Sequence, residues 1–405
     1  MGRWRIFMYK LLSLAFLLFL PMLCVFSPAF GASSPRIEVG DQSFPAQQVT
    51  PLPAPTPTVQ PARSRTWLEP SARPIRLAWF YKPPENGRAD LLPGQYDAFV
   101  LTKNDEQTRD LLRSMGVSTP ILQYVLFNAI QDPGSCTLQP FRNQVADRPG
   151  DFCFISANHP DWFLLDVNGG RISSDRYYIM DPGNAGWRAF WLDRVRQNQN
   201  ELGWRGVFLD NVEGGLAEFR KSDPPAKYSD HASYQAAVEG FLQYLSQNYF
   251  QPEGRIAMAN IISLEDSATW FRYLTYLDGA MDEGFAVDWW AGYQEPQLWL
   301  QEIERLEQAQ KLGKTLILVA QGDRYNLARQ QFALGSYLLA NQGLAVFRYG
   351  HHSSYNQNWT YDNYALDLGA PLGPRYAQGS AWRRDFERGF IVVDPFNHTA
   401  VFQLK

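Results

Sequence analysis

From Pro74 onward, short apolar runs alternate with amphipathic stretches, and the alternation repeats eight times. The runs are Ile75–Tyr81, Tyr96–Leu101, Pro120–Phe127, Gly206–Asp210, Ile256–Asn260, Leu277–Glu283, Leu316–Gln321 and Leu344–Tyr349. They are rich in β-branched and aromatic residues and nearly continuous in apolar character, so each predicts a strand covered on both faces. Between them, Glu106–Met115, Trp187–Leu202, Tyr234–Asn248, Leu264–Tyr276, Glu295–Leu312 and Leu327–Ala340 read as helices or helical crossovers. Such alternation predicts an α/β fold, a (β/α)₈ TIM barrel over residues 74–358. An open doubly wound sheet is the alternative. Its dinucleotide-binding form carries a Gly-rich phosphate turn after the first strand, and no such turn follows Tyr81. From about Trp359 the pattern shortens again. Trp382–Phe386, Gly389–Asp394 and Thr399–Leu404 predict a small antiparallel β appendage, residues 359–405, packed on the barrel.

The first 73 residues do not share this pattern. Arg3, Arg5 and Lys10 precede an apolar run from Leu11 to Phe26, and Ala29-Phe30-Gly31 supplies small residues at the −3 and −1 positions of a cleavage site. The run is shorter than the roughly 20 residues of a spanning helix. Residues 1–31 therefore read as a cleaved signal peptide, with an uncleaved anchor as the alternative. Cys24 follows Met22 and Leu23, which are too large for a lipoprotein signal. The expectation is a secreted, periplasmic or extracellular protein with no membrane contact after cleavage. Residues 32–73 are rich in Pro, Ser, Thr and Gln, and read as an extended, disordered linker.

Composition narrows the function. The formal net charge is −4 and no basic cluster stands out, which excludes a nucleic-acid binder. Thirteen Trp and 20 Tyr suit both core packing and a sugar-binding cleft, so aromatic content alone does not decide between them. Beyond the signal peptide two cysteines remain, Cys136 and Cys153, in one loop-like excursion between the third and fourth strands. In an exported chain they predict a disulfide, worth on the order of 3 kcal/mol by loop closure. His351-His352 lacks metal-ligand spacing, and no Gly-x-Ser-x-Gly elbow is present. Neither a metal nor a cofactor is expected.

In a TIM barrel the reactive side chains stand where strands end. Here that rule selects Tyr81 on the first strand, Tyr124 on the third and Asp210-Asn211 on the fourth. It adds Asn260 on the fifth, Asp282-Glu283 on the sixth, Gln321 on the seventh and Arg348 on the eighth. Carboxylates on two strand ends are the equipment of glycoside hydrolysis, in which one acid protonates the leaving oxygen and one carboxylate attacks or activates water. Successive strand residues face opposite ways, so Asp282 and Glu283 cannot both face the cleft. Glu283 is preferred, because Gly279 and Met281 in phase with it suit the barrel interior. Asp210 and Glu283 are thus the expected catalytic pair. Tyr81, Tyr124, Asn211, Asn260, Asp282, Gln321 and Arg348 are the expected substrate-binding set.

Several segments resemble the glycosyl hydrolase-like family 15. They are Gly206-Val207-Phe208-Leu209-Asp210-Asn211-Val212, Asp181-Pro182-Gly183-Asn184-Ala185-Gly186-Trp187-Arg188 and Asp278-Gly279-Ala280-Met281-Asp282-Glu283-Gly284. The tail segments Leu368–Gly373, Arg384–Gly389 and Val392–Pro395 are also similar. The resemblance spans about residues 75–405. It implies a TIM barrel and a glycosidase activity, without naming a sugar. By analogy with related barrels, such as α-galactosidase-like and polygalactosaminidase-like enzymes, it implies Asp210 as nucleophile or base and Glu283 as general acid. The expected partner is a poly- or oligosaccharide. Two rivals stand beside this reading: a non-catalytic carbohydrate-binding or assembly protein on the same scaffold, and a barrel enzyme of another class such as a lyase or transglycosidase.

Overall fold

The computed structural model describes residues 67–405 apart from 218, 220–223, 265 and 290–291. The signal peptide and most of the linker lie outside the described residues.

In chain order the first strands are β1 (Ala78–Phe80), β2 (Ala98–Thr102) and β3 (Leu122–Leu126). An excursion follows with β4 (Ala129–Gln131), β5 (Ser173–Ser174) and β6 (Tyr177–Ile179). Then come β7 (Gly206–Glu213), β8 (Ile256–Ile262), β9 (Gly279–Asp282), β10 (Thr315–Gln321) and β11 (Ala345–Gly350). The parallel order β1-β2-β3-β7-β8-β9-β10-β11 is closed by a parallel bridge between Leu77 and Phe347. The (β/α)₈ barrel is therefore present, with all eight strands where the apolar runs lie.

The helices are α1 (Glu106–Ser114), α2 (Asp151–Asn158), α3 (Ala185–Leu202), α4 (His231–Leu245), α5 (Ser267–Leu274), α6 (Pro296–Lys311) and α7 (Leu327–Ala340). Only a 3₁₀ turn, Ala89–Leu91, stands between β1 and β2. Four of the helices begin at a side chain that accepts a backbone N–H: Asn184, Asp230, Asp266 and Asn326. Each such cap contributes about 1 kcal/mol and fixes where the loop from the strand ends.

Two layers of apolar packing result. Ala78, Phe80, Ala98, Val100, Leu122, Phe208, Met258, Met281, Ile317, Val319 and Val346 fill the barrel interior. The residues between them face the helices. Gly279 shows how close neighbouring strands come. A Cβ there would sit 2.0 Å from the Thr315 carbonyl oxygen and 2.8 Å from Met258 Cε, so no other residue fits.

The barrel begins earlier than Pro74. Trp67 and Leu68 are 2% and 1% exposed and belong to the interior cluster. The Trp67 indole N–H donates to the Pro120 carbonyl at 2.6 Å, just before β3 starts. These two residues plug the end of the barrel away from the strand C-termini. An apolar pair in a polar stretch carries no periodicity, so the linker reading ran through to Arg73.

The excursion adds a small sheet whose apolar side chains join the core between strands and helices. Strands β4, β6 and β5 form an antiparallel sheet, and Cys136 and Cys153 are joined with Cα atoms 5.6 Å apart. At the other end, β12 (Tyr376–Gln378), β13 (Ala381–Phe386), β14 (Gly389–Asp394) and β15 (Thr399–Leu404) form an antiparallel sheet on α7. It has one more strand than the pattern predicts. Arg384, in β13, donates to the Leu338 and Asn341 carbonyls at 2.8 and 2.5 Å, capping the C-terminal end of α7.

Candidate active site

Asp210 closes the straight part of β7. Its register partner on β3 is Leu126, and Tyr124, two residues earlier, is paired with Phe208. Pairing with β8 then slips between Leu209 and Val212, and Asn211 takes φ 57°. This bulge re-aims the strand end, as bulges beside functional residues do. The Asn211 backbone N–H serves the Asp210 carboxylate.

Asn260 joins the two acids. Its amide Nδ2 donates to Asp210 Oδ1 at 3.0 Å and to Glu283 Oε2 at 2.8 Å. The Tyr124 hydroxyl donates to Asp210 Oδ2. The Tyr355 hydroxyl donates to Glu283 Oε1 at 2.7 Å and itself accepts from Gln321 Nε2. Tyr81 stacks on Tyr124 with centroids 4.8 Å apart and planes 16° off parallel. Asp210, Glu283, Tyr81, Tyr124, Asn260 and Gln321 thus form one cluster, with Asn211 at its edge.

The donors around both carboxylates are neutral, and this shapes their acidity. Burial, and next the charge of Asp210, push Glu283 up to about 7. Burial also raises Asp210, opposed by hydrogen bonds from Tyr124, Asn260 and Asn211 that favour its charged form. The charge of Asp210 opposes ionisation of Glu283, so the two acids titrate as a coupled pair. Burial and the charge of Asp210 hold Tyr124 well above the usual phenol range, so it stays a donor.

Two of the expected residues point elsewhere. Asp282 pairs with Arg305 of α6 at 2.5 Å, on the helix side of β9. Arg348 is 3% exposed, and its guanidinium is spent on structure. It donates to the Tyr355 and Gln357 carbonyls at 3.0 and 2.8 Å, and lies over the Trp79 ring. Arg348 holds the loop that delivers Tyr355; it does not join the carboxylate cluster. Both lie outside the carboxylate cluster, in contacts that support it.

Tyr355 and Glu302 escaped the sequence reading. Tyr355 lies past the end of β11, in a polar loop with no period to flag it. Glu302, on α6, accepts from the Ala286 N–H at 2.8 Å and from Gln294 Nε2 at 3.0 Å, which anchors the segment after Glu283. Two surface cavities, of about 370 and 330 Å³, lie elsewhere; neither is lined by Asp210 or Glu283. Among the described residues no group of three His, Cys, Asp or Glu side chains gathers as a metal site, and no helix is long and apolar enough to cross a membrane.

The Asp181 segment is a latch on the barrel's flank. Asp181 accepts from Lys227 Nζ at 2.5 Å and from the Tyr228 hydroxyl. A Cβ at Gly183 would lie 2.4 Å from that hydroxyl, and one at Gly186 would lie 2.7 Å from Trp162 Nε1. Close packing accounts for both glycines.

A closed parallel barrel with two acids converging at the C-terminal ends of its strands is of the glycoside-hydrolase type. The chain belongs to the hypothetical glycosyl hydrolase family 15, whose model matches residues 124–390. Among solved structures it is similar to the glycoside hydrolase domain of PelA from Pseudomonas aeruginosa, at 15% identity and a TM-score of 0.47. That likeness covers 72% of this chain and 98% of that one. It is also similar to the noncanonic maltogenic alpha-amylase AmyB from Thermotoga neapolitana, at 12% identity and a TM-score of 0.44, over 80% of this chain and 86% of that one. No curated protein matches the sequence.

Proposed function

We propose that this protein is an exported glycoside hydrolase that cleaves O-glycosidic bonds of a poly- or oligosaccharide. Asp210 is the nucleophile or base and Glu283 the general acid. The observation that carries the reading is the single Asn260 amide shared by both carboxylates. Two acids held to one amide face one small space, which is where a glycosidic bond would have to lie. The neutral donors around them let one acid ionise while the other keeps its proton, as the reaction requires. Tyr81 and Tyr124 offer ring surface beside the acids for the C–H face of a sugar.

The test is release of reducing sugar from a panel of polysaccharides and aryl glycosides. Wild-type protein is expected to act on at least one class. Asp210→Asn and Glu283→Gln are expected to lose nearly all of that activity while staying folded by circular dichroism. Glycan binding with no product from any panel member would instead favour the carbohydrate-binding reading. Unsaturated or transferred products would point to a lyase or a transglycosidase.

A further inference from the structure

A second pair of rings belongs to the two segments that carry Glu283 and its phenol partner. Past the end of β9, Val287 pairs with Tyr293 across an antiparallel bridge, and the Asp288 N–H donates to the Gly292 carbonyl at 3.1 Å. A Cβ at Gly292 would lie 2.5 Å from Asp288 Oδ2, so glycine lets this pairing close. Arg329 of α7, 2% exposed, ties the pairing to the end of β10. Its Nε donates to the Gln321 carbonyl at 2.6 Å, and its terminal nitrogens donate to the Gly292 and Asp288 carbonyls. Trp289 follows directly on this clamp. Its indole stacks on the His352 imidazole, with centroids 5.7 Å apart and planes 27° off parallel, and both residues are partly exposed. On the β11 side, His352–Ser354 is a 3₁₀ turn that Tyr355 continues at φ −62° and ψ −21°. Residues three apart in such a turn lie one above the other, about 6 Å apart along its axis. His352 is therefore one turn from Tyr355, on the side from which the phenol donates to Glu283. Gln321 joins the two segments below, donating to the Tyr355 hydroxyl and to the Glu283 carbonyl. Burial and the adjacent His351 lower the acidity constant of His352, which leaves its ring neutral near pH 7.

We propose that Trp289 and His352 form the platform for the sugar ring on the leaving side of the scissile bond, so that the substrate is a chain of sugars and not a glycoside of a small alcohol. This rests on the glycoside hydrolase reading above, with Glu283 as the acid. The leaving oxygen must come within hydrogen-bond reach of Glu283 to take its proton. The ring that bears that oxygen then lies on the Glu283 side of the site, where the indole and the neutral imidazole offer flat surface for its C–H face. Tyr81 and Tyr124 stand on the other side, with the Tyr124 hydroxyl on Asp210. Each acid thus has aromatic surface beside it, one for each sugar joined by the bond. Contact with the leaving ring is binding energy remote from the reacting atoms, which can be used to orient the bond between the two acids. A leaving group without a ring forgoes it.

The experiment uses the full chain and two substrates that share the sugar on the Asp210 side. One is an oligosaccharide prepared from whichever panel polysaccharide is cleaved. The other is the glycosyl fluoride of the same sugar in the same anomeric configuration. Fluoride leaves without a ring, so the ratio of kcat/KM for the oligosaccharide to that for the fluoride isolates the leaving-side contact. Trp289→Ala should lower this ratio by about 10–100-fold, and Trp289→Phe, which keeps a flat ring, by less than about threefold. His352→Ala should lower it severalfold, and carries the test if Trp289→Ala does not fold. Equal losses on both substrates, or a ratio unchanged in either alanine variant, would overturn the platform while leaving the hydrolase reading intact. Cleavage confined to aryl glycosides would do the same. Failure of the wild-type protein to cleave any panel member would remove both.

Discussion

The end of β9 carries adjacent acids, Asp282 and the next residue Glu283, with opposite fates. On the inner face, Glu283 meets an amide and a phenol, both neutral. On the outer face, Asp282 meets the guanidinium of Arg305, which also approaches Glu302 at 4.0 Å and lies over the Trp270 ring. A neutral donor orients a carboxyl group without adding a full positive charge beside it. Burial and the charge of Asp210 raise the inner acid to about 7, and the outer one ties strand to helix. One residue step separates the proposed acid from a strand-to-helix tie.

The largest effect that separates the faces is on turnover. Glu283→Gln should lower kcat/KM by about 10²–10⁴-fold, and Asp210→Asn by at least as much. Asp282→Asn should cost less than a tenfold change. Comparable losses at Asp282 and Glu283 would erase the distinction. Stability should show the reverse order. Asp282→Asn leaves Arg305 short of its main partner, and should destabilise the fold by on the order of 2 kcal/mol in urea melts.

A subtler test uses pH. Glu283 titrates in the folded chain at about 7, above its ordinary value of 4.5. Between those values the folded chain binds more protons than the unfolded one, so this group's contribution to stability falls as pH rises through that window. Glu283→Gln should remove that loss, gaining relative to wild type by on the order of 2 kcal/mol or less between pH 4.5 and 7. Activity should decline above about pH 7 as the acid loses its proton. The smallest effect belongs to Tyr355→Phe. Its hydroxyl favours the charged form of Glu283, so the variant should move the alkaline limb of the pH profile upward with less than tenfold loss in kcat. An unmoved limb would separate that limb from Glu283.

Much of this was legible in the chain. The eight strands could be read because parallel strands buried on both faces are continuously apolar, and Gly279 and Met281 told which side of β9 Glu283 would take. What stayed hidden depends on contacts between distant segments. Position at a strand end brought Asp282 and Arg348 into the expected lining, but their partners, Arg305 and the Tyr355 and Gln357 carbonyls, lie on other elements. Tyr355 reaches Glu283 from a loop with no repeat of its own. Glu302 looked like any charged helix position until α6 packed against the β9 loop.

Trp67 and Leu68 tie the far end of the molecule to the same problem. The end of the barrel away from the carboxylates is filled by side chains that precede the first barrel strand. A shortened chain started at Pro74 would keep all eight strands, Asp210 and Glu283, yet leave a void about the size of an indole ring at the far end of the barrel. Heat tolerance would then decline.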